Sequence, residues 1–94
     1  MVLSLGSRGA VAAFAGGLYE ALPPRVDAVC PIGAGDALTA AYVWAMSRNS
    51  KSPAEALRWG VAAGTASARL PGVSFATPTQ TEEVYRHVEV RRAE

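Results

Sequence analysis

Short apolar runs broken by glycine open the chain, and longer runs with helical spacing succeed them. Val2 to Leu5, Ala10 to Phe14 and Leu18 to Leu22 are rich in valine, leucine and alanine, and their brevity predicts three strands rather than helices. Gly6-Ser7-Arg8-Gly9 reads as the turn between the first two, and Gly16-Gly17 as a hairpin turn before the third. Pro23-Pro24 stops the ladder, since proline brings no amide to it. Val26 to Cys30 alternates weakly and runs into Pro31, whose ring disfavours helix in the residue before it, so this stretch reads as an extended approach to the glycine-rich segment after it.

Beyond that segment the pattern turns helical. Ala37 to Ser47 holds neither glycine nor proline, and Leu38, Ala41, Tyr42 and Ala45 recur at helical spacing to make one apolar face. Ser52, with Glu55 three residues on and Pro53 at the first helical position, marks a second helix start. That helix should run to about Leu70, where Pro71-Gly72 ends it. Gly60 and Gly64 lie in its interior, each costing about 1 kcal/mol relative to alanine. Four apart, they share a face and would admit either a closely packed helix or a ligand ring. Thr79 and Glu82 read as another capping box, opening a third helix whose pairs Glu82–Arg86 and Glu83–His87 face solvent. The order of strands and then helices gives an α/β class in one small domain.

Composition narrows the function. Half of the 94 residues are apolar and 18% are charged, enough for one modest core. Nine basic and eight acidic residues leave a net charge of +1, without the basic footprint of a nucleic-acid or membrane-surface binder. Neither a signal peptide nor a membrane span is read at the N-terminus. Cys30 is the one cysteine, so no internal disulfide forms and a cytoplasmic protein is expected.

The segment Pro31-Ile32-Gly33-Ala34-Gly35-Asp36 carries the candidate chemistry. It lies where an extended stretch gives way to a helix, and its small residues let the backbone turn freely. Unpartnered amides at a helix N-terminus make an anion site suited to phosphate. Asp36 has two readings: a cap for the helix, or a carboxylate that accepts a proton from an alcohol while the amides steady a transferring phosphoryl group. Other glycine motifs fail on spacing. A P-loop needs lysine after its last glycine, and the only lysine is Lys51. A dinucleotide fingerprint needs a small residue where Leu38 stands.

Around this turn the sequence resembles the ribokinase-like (PfkB) carbohydrate kinases, in their phosphofructokinase and tagatose-6-phosphate kinase branch. Gly33-Ala34-Gly35-Asp36 looks like the family's C-terminal signature. Ser4-Leu5-Gly6-Ser7-Arg8-Gly9 resembles its strand and loop over the nucleotide phosphates, and Trp59 to Ala66 its adenine-side helix. Pro71-Gly72-Val73 is similar to the loop after that helix. The resemblance implies the C-terminal portion of a three-layer α/β/α fold and ATP-dependent phosphorylation of a sugar-phosphate hydroxyl. Asp36 is then the catalytic base, and the amides of Gly33, Ala34 and Gly35 form the anion hole. Ser4, Gly6, Arg8 and Gly9 border the phosphates, while Val61 and Thr65 line the nucleotide pocket. Magnesium on the phosphates and a potassium-like ion near Cys30, Ile32, Ser67 and Gly72 are implied as well.

Members of that family are far longer than 94 residues and carry their sugar-binding part, lid and magnesium-linked acidic motif in an N-terminal portion. Residues 1–94 are therefore expected to be the nucleotide-binding and catalytic C-terminal part of an incomplete domain, inactive alone, with its missing portion or a second copy as polypeptide partner. A strand order starting at Val2 leaves the family's parallel sheet without its central strands. The alternatives are a non-catalytic nucleotide-binding or subunit-pairing module, or a family member acting on another sugar or a nucleoside. Asp36→Asn separates catalysis from the non-catalytic reading.

Overall fold

A computed structural model describes residues 2–4, 9–14, 17–24, 34–47, 52–70 and 75–92. Its elements are β1 (Val2–Ser4), β2 (Ala10–Phe14), β3 (Gly17–Leu22), α1 (Ala34–Ser47), α2 (Pro53–Ala68), α3 (Pro78–Tyr85) and β4 (Glu89–Arg92). The sheet order is β1-β2-β3-β4, and each neighbouring pair is antiparallel.

Alternation builds the sheet's inner face. Ala10, Ala12 and Ala21 are buried, Val11 is half-buried and Ala13 exposed, so period-2 geometry turns the smallest side chains toward the helices. Phe14 pairs with Gly17, so Gly17 belongs to the ladder and not to the turn expected at Gly16-Gly17; a two-residue connection suits the strand twist. Gly9 enters β2 with φ of +94°, and a Cβ there would strike the Ala21 carbonyl oxygen. Only glycine takes this backbone without strain. The approach from Val26 to Cys30 lies outside the described residues.

The third helix is expected to carry Arg86 and His87, but it ends before them and a strand that the sequence reading does not anticipate, β4, follows. α3 stops at Tyr85, and Arg86-His87 turn the chain into a strand that adds to β3, with Ala21 opposite Val90 and Glu20 opposite Arg91. Arg91 Nε donates to Glu20 Oε1 at 2.5 Å across that pair. Val88 is buried and Val90 half-buried while Glu89, Arg91 and Arg92 are exposed, a period-2 signal too short to stand out beside a helix. Because α3 ends early, the pairs Glu82–Arg86 and Glu83–His87 straddle its end.

Both proline-led helix starts obey one grammar. Ser52 Oγ accepts the Glu55 amide at 3.3 Å with Pro53 beside it. The third helix is capped by Thr77 rather than Thr79: Gln80 N donates to Thr77 Oγ1 at 3.1 Å, and Thr77 N to Gln80 Oε1 at 2.8 Å. Pro78 decides the register, since its fixed φ and missing amide suit the first helical position. α2 ends at Ala68, two residues before the expected Leu70, because the residue preceding Pro71 is pushed out of helical geometry.

α2 is the centre of the packing, against α1, α3 and the strands β2, β3 and β4. Its residues Leu57, Val61, Ala62 and Ala66 join Ala10, Ala12, Ala21, Leu38, Val84 and Val88 in one core. Gly60 resolves the expectation of a close neighbour in favour of a helix: a Cβ there would lie 2.9 Å from the Leu38 carbonyl oxygen and 3.3 Å from Tyr42 Cβ. On the α3 side, Arg58 Nε donates to the Tyr85 carbonyl at 3.1 Å and its guanidinium stands 4.1 Å from the Tyr85 ring centroid. Tyr85 Oη donates to Glu55 Oε2.

This packing can be tested in two ways. Gly60→Ala should destabilise the chain by about 1–3 kcal/mol in chemical denaturation, because the Leu38 backbone cannot yield and the helix-propensity gain is smaller than the overpacking; unchanged or raised stability would contradict the contact. The Tyr85 phenol is pushed above its ordinary value of 10.0, first by burial and then by its hydrogen bond to Glu55 and the charge there, against a smaller pull from Arg58. A raised folded-state value gives stability that is complete below the unfolded value and is lost as pH climbs through the folded one. Denaturation midpoints above pH 10.0 should therefore fall more steeply for this chain than for Tyr85→Phe, and parallel curves would show that the phenol is not coupled to folding.

Candidate functional site

The glycine-rich segment enters the described structure at Ala34, where α1 begins. Asp36 is the third residue of the helix and sits inside its first turn, so it is not the capping residue. A carboxylate there is favoured by the helix dipole. Its side chain is exposed, free to meet a solute. Gly35 is exposed as well, and a Cβ on it would meet nothing within 4 Å. Open space is what a backbone-lined anion site requires, since the ligand must reach the amides. Thr39 Oγ1 turns back to the Gly35 carbonyl at 3.1 Å, occupying that hydroxyl within the helix.

The other candidate residues separate into three groups. Gly33, Gly6, Arg8, Cys30, Ile32 and Gly72 lie outside the described residues. Ser4 ends β1, and Gly9 stands at the start of β2, held there by the backbone requirement given above. Val61 is buried in the core, 2% exposed, and Thr65 comes one turn later on the same helix, half-buried. Ser67, expected near a monovalent ion, is buried and its Oγ accepts the Ala76 amide at 2.9 Å. Its carbonyl accepts the Leu70 amide at 3.1 Å. Ser67 thus ties the chain after α2 back onto that helix.

Among the described residues, no three His, Cys, Asp or Glu side chains gather. Magnesium beside a nucleotide is commonly held in large part by phosphate oxygens. No described helix is long and apolar enough to cross a membrane.

A cavity of about 300 Å³ lies on a different face. Ala37, Ala40 and Ala41 of α1 line one side, Trp59, Ala63 and Ser67 of α2 another, and Trp44 and Phe75 its rim. It contains none of Asp36, Val61 and Thr65: the α2 positions 59, 63 and 67 point about half a turn away from 61 and 65. Trp44 and Trp59 stack with ring centroids 5.9 Å apart, and Trp59 meets Tyr85 at 5.4 Å. Phe75, which is 63% exposed, gave little sign of its place in the sequence. A lone aromatic in a stretch of small and proline residues was the available signal.

Comparison with known proteins places this geometry in a family. The chain is 31% identical over 88 residues to the ATP-dependent 6-phosphofructokinase isozyme 2 of Escherichia coli, a match covering 94% of this chain and 28% of that one. It is 39% identical over 71 residues to the 1-phosphofructokinase of Borreliella burgdorferi, covering 72% and 22% of the two. The crystal structure of Escherichia coli phosphofructokinase-2 in complex with potassium superposes with a TM-score of 0.84 at 32% identity, over 90% of this chain and 27% of that one. The chain thus spans between a fifth and a third of the length of these relatives. Residues 1–80 match the model of the pfkB family of carbohydrate kinases, and the chain belongs to that family.

Proposed function

We propose that this chain supplies the nucleotide-binding and catalytic part of an ATP-dependent kinase that phosphorylates a hydroxyl of a sugar phosphate. The observation that carries it is Asp36, exposed in the first turn of α1 beside the open Gly35, in a chain whose relatives are phosphofructokinases. The Asp36 carboxylate takes the proton of the acceptor hydroxyl as that oxygen bonds to the γ-phosphorus of ATP. The bond from the γ-phosphorus to the bridging oxygen breaks, and ADP leaves. Amides of Gly33, Ala34 and Gly35 face the charge on the transferring group. Such transfer asks the protein mainly for position and electrostatics.

In the same reading, Ser4, Gly6, Arg8 and Gly9 border the phosphates and the half-buried Thr65 borders the base, whereas Val61, expected to line the same pocket, is taken up by the core and offers it no surface. Magnesium bound to the phosphates would neutralise charge there, leaving the Asp36 carboxylate to the acceptor hydroxyl. A potassium-like ion belongs near Cys30, Ile32, Ser67 and Gly72, and the Escherichia coli relative crystallised with potassium supports looking for it. The acceptor site belongs to the portion of the relatives not matched here, so the chain alone is inactive.

The test replaces the matching segment of the Escherichia coli isozyme with residues 1–94 and monitors phosphoryl transfer. Asp36→Asn should lower kcat by about 100-fold or more while the KM for ATP changes little, since a general base acts in the transition state and not in nucleotide binding. An Asn variant within a few-fold of its parent would remove Asp36 from the catalytic role, and a folded but inactive parent would favour the non-catalytic module.

A further inference from the structure

Thr39 stands one turn beyond the glycine that precedes Asp36, and the catalytic reading leaves it unused. Its Oγ1 donates to the Gly35 carbonyl at 3.1 Å. Gly35, Asp36 and Thr39 are all exposed, and residues three and four apart on a helix are neighbours, so Thr39 lies beside both of the others. Threonine in a helix often bonds back to the carbonyl four residues earlier. What sets this bond apart is the residue that accepts it. Gly35 has no side chain, and a Cβ on it would meet nothing within 4 Å, so no side-chain packing of its own restrains the backbone there. Glycine also loses more conformational freedom on ordering than any other residue, and helix ends fray. The openness that a ligand needs at Gly35 thus removes the usual means of fixing the backbone that leads into Asp36.

The Thr39 hydroxyl supplies that restraint from the next turn. A carbonyl oxygen has two lone pairs, of which the helical ladder uses one, and the hydroxyl takes up the other. The Gly35 oxygen belongs to the same planar peptide unit as the Asp36 amide. Holding that oxygen fixes the plane, and with it the direction from which the Asp36 side chain departs. We propose that Thr39 is a positioning residue for phosphoryl transfer: its hydroxyl clamps the Gly35–Asp36 peptide and so presents the Asp36 carboxylate to the acceptor hydroxyl. This rests on the reading of Asp36 as the base. A base acts only within hydrogen-bond reach of its proton, and a misplacement of about 1 Å costs about 100-fold in rate, so order gained at Gly35 is read directly in kcat. Ser47 provides an internal control, since its Oγ makes the same kind of bond to the Val43 carbonyl at 2.7 Å, at the opposite end of α1.

The hybrid enzyme, with residues 1–94 in place of the matching segment of the Escherichia coli isozyme, carries the test. Thr39→Val keeps the branched shape and removes the hydroxyl. It should lower kcat by about tenfold with the KM for ATP within about twofold, and at an exposed position it should leave the thermal midpoint within about 2 °C. Thr39→Ser should restore kcat to within about twofold of the parent, and Ser47→Ala should leave it unchanged. In an Asp36→Asn background, Thr39→Val should cost less than about twofold, because the clamp acts through the carboxylate. The order parameter of the Asp36 amide, from nitrogen relaxation on the labelled hybrid, should fall from the rigid range of about 0.85 in Thr39→Val and hold in Thr39→Ser. An unchanged order parameter, a kcat loss shared by the Ser variant, or full additivity with Asp36→Asn overturns the proposal. An Asp36→Asn hybrid as active as its parent, or a folded parent without turnover, removes the base and the clamp with it; a normal Thr39→Val hybrid beside an impaired Asp36→Asn one removes the clamp alone.

Discussion

Gly60 lets the backbone of α2 lie against the Leu38 carbonyl of α1, where even one methyl group would come within 2.9 Å of that oxygen. The rest of the molecule is arranged around this approach. With α1 held so close, Leu38 and Tyr42 pack into the core cluster alongside Leu57 and Val61. α2 becomes an inner helix, and its other side must be closed by something equally low in profile. Ala10, Ala12 and Ala21 on the sheet meet that need, against Ala62 and Ala66. The high alanine content of the chain, nineteen residues of 94, thus has a packing reason in the layers on both sides of α2. Small groups allow close approach, and close approach recovers the dispersion energy that short side chains would otherwise forgo.

How legible the fold is in the sequence depends on the range over which each signal acts. The strand cores, the two interior glycines and the Ser52-Pro53 start are local, and each is readable from neighbouring residues. The start of the third helix lies two residues before the expected one because Thr79 with Glu82 and Thr77 with Gln80 offer the same spacing, and only Pro78 tells them apart. β4 escapes a sequence reading because four residues acquire strand character through pairing with β3, a partner about 70 positions away. The opening of α1 at Ala34 is not marked by a single residue, because the small residues around it permit several backbone paths. The candidate site enters as a motif, of which Asp36 and Gly35 are the described part; the groove has no motif, because it is made jointly by α1, α2 and the stretch around Phe75, and no single element announces it.

Neighbouring residues of one helix meet different surroundings. Asp36 lies in the first turn, open to solvent, while Ala37 one residue later already lines the apolar groove. A helix used this way must be fixed in both rotation and translation, since a rotation of one residue would swap the faces. The Gly60 contact and the aromatic row from Trp44 through Trp59 to Tyr85 fix them. Arg58 and Glu55 anchor the far end of that row on α3, so the position of the acidic turn depends on packing well removed from it.

The central claim is that the N-terminal turn of α1, and not the groove beside it, receives the nucleotide. The most direct test is a two-dimensional amide NMR titration of the isotopically labelled chain with magnesium ATP in potassium buffer. The account predicts shifts at the amides of Gly35, Asp36 and Thr65, with those of Ala40, Trp44 and Ala63 unmoved. A well-dispersed spectrum in which Gly35 and Asp36 do not respond, or in which the response is confined to the groove, would contradict it.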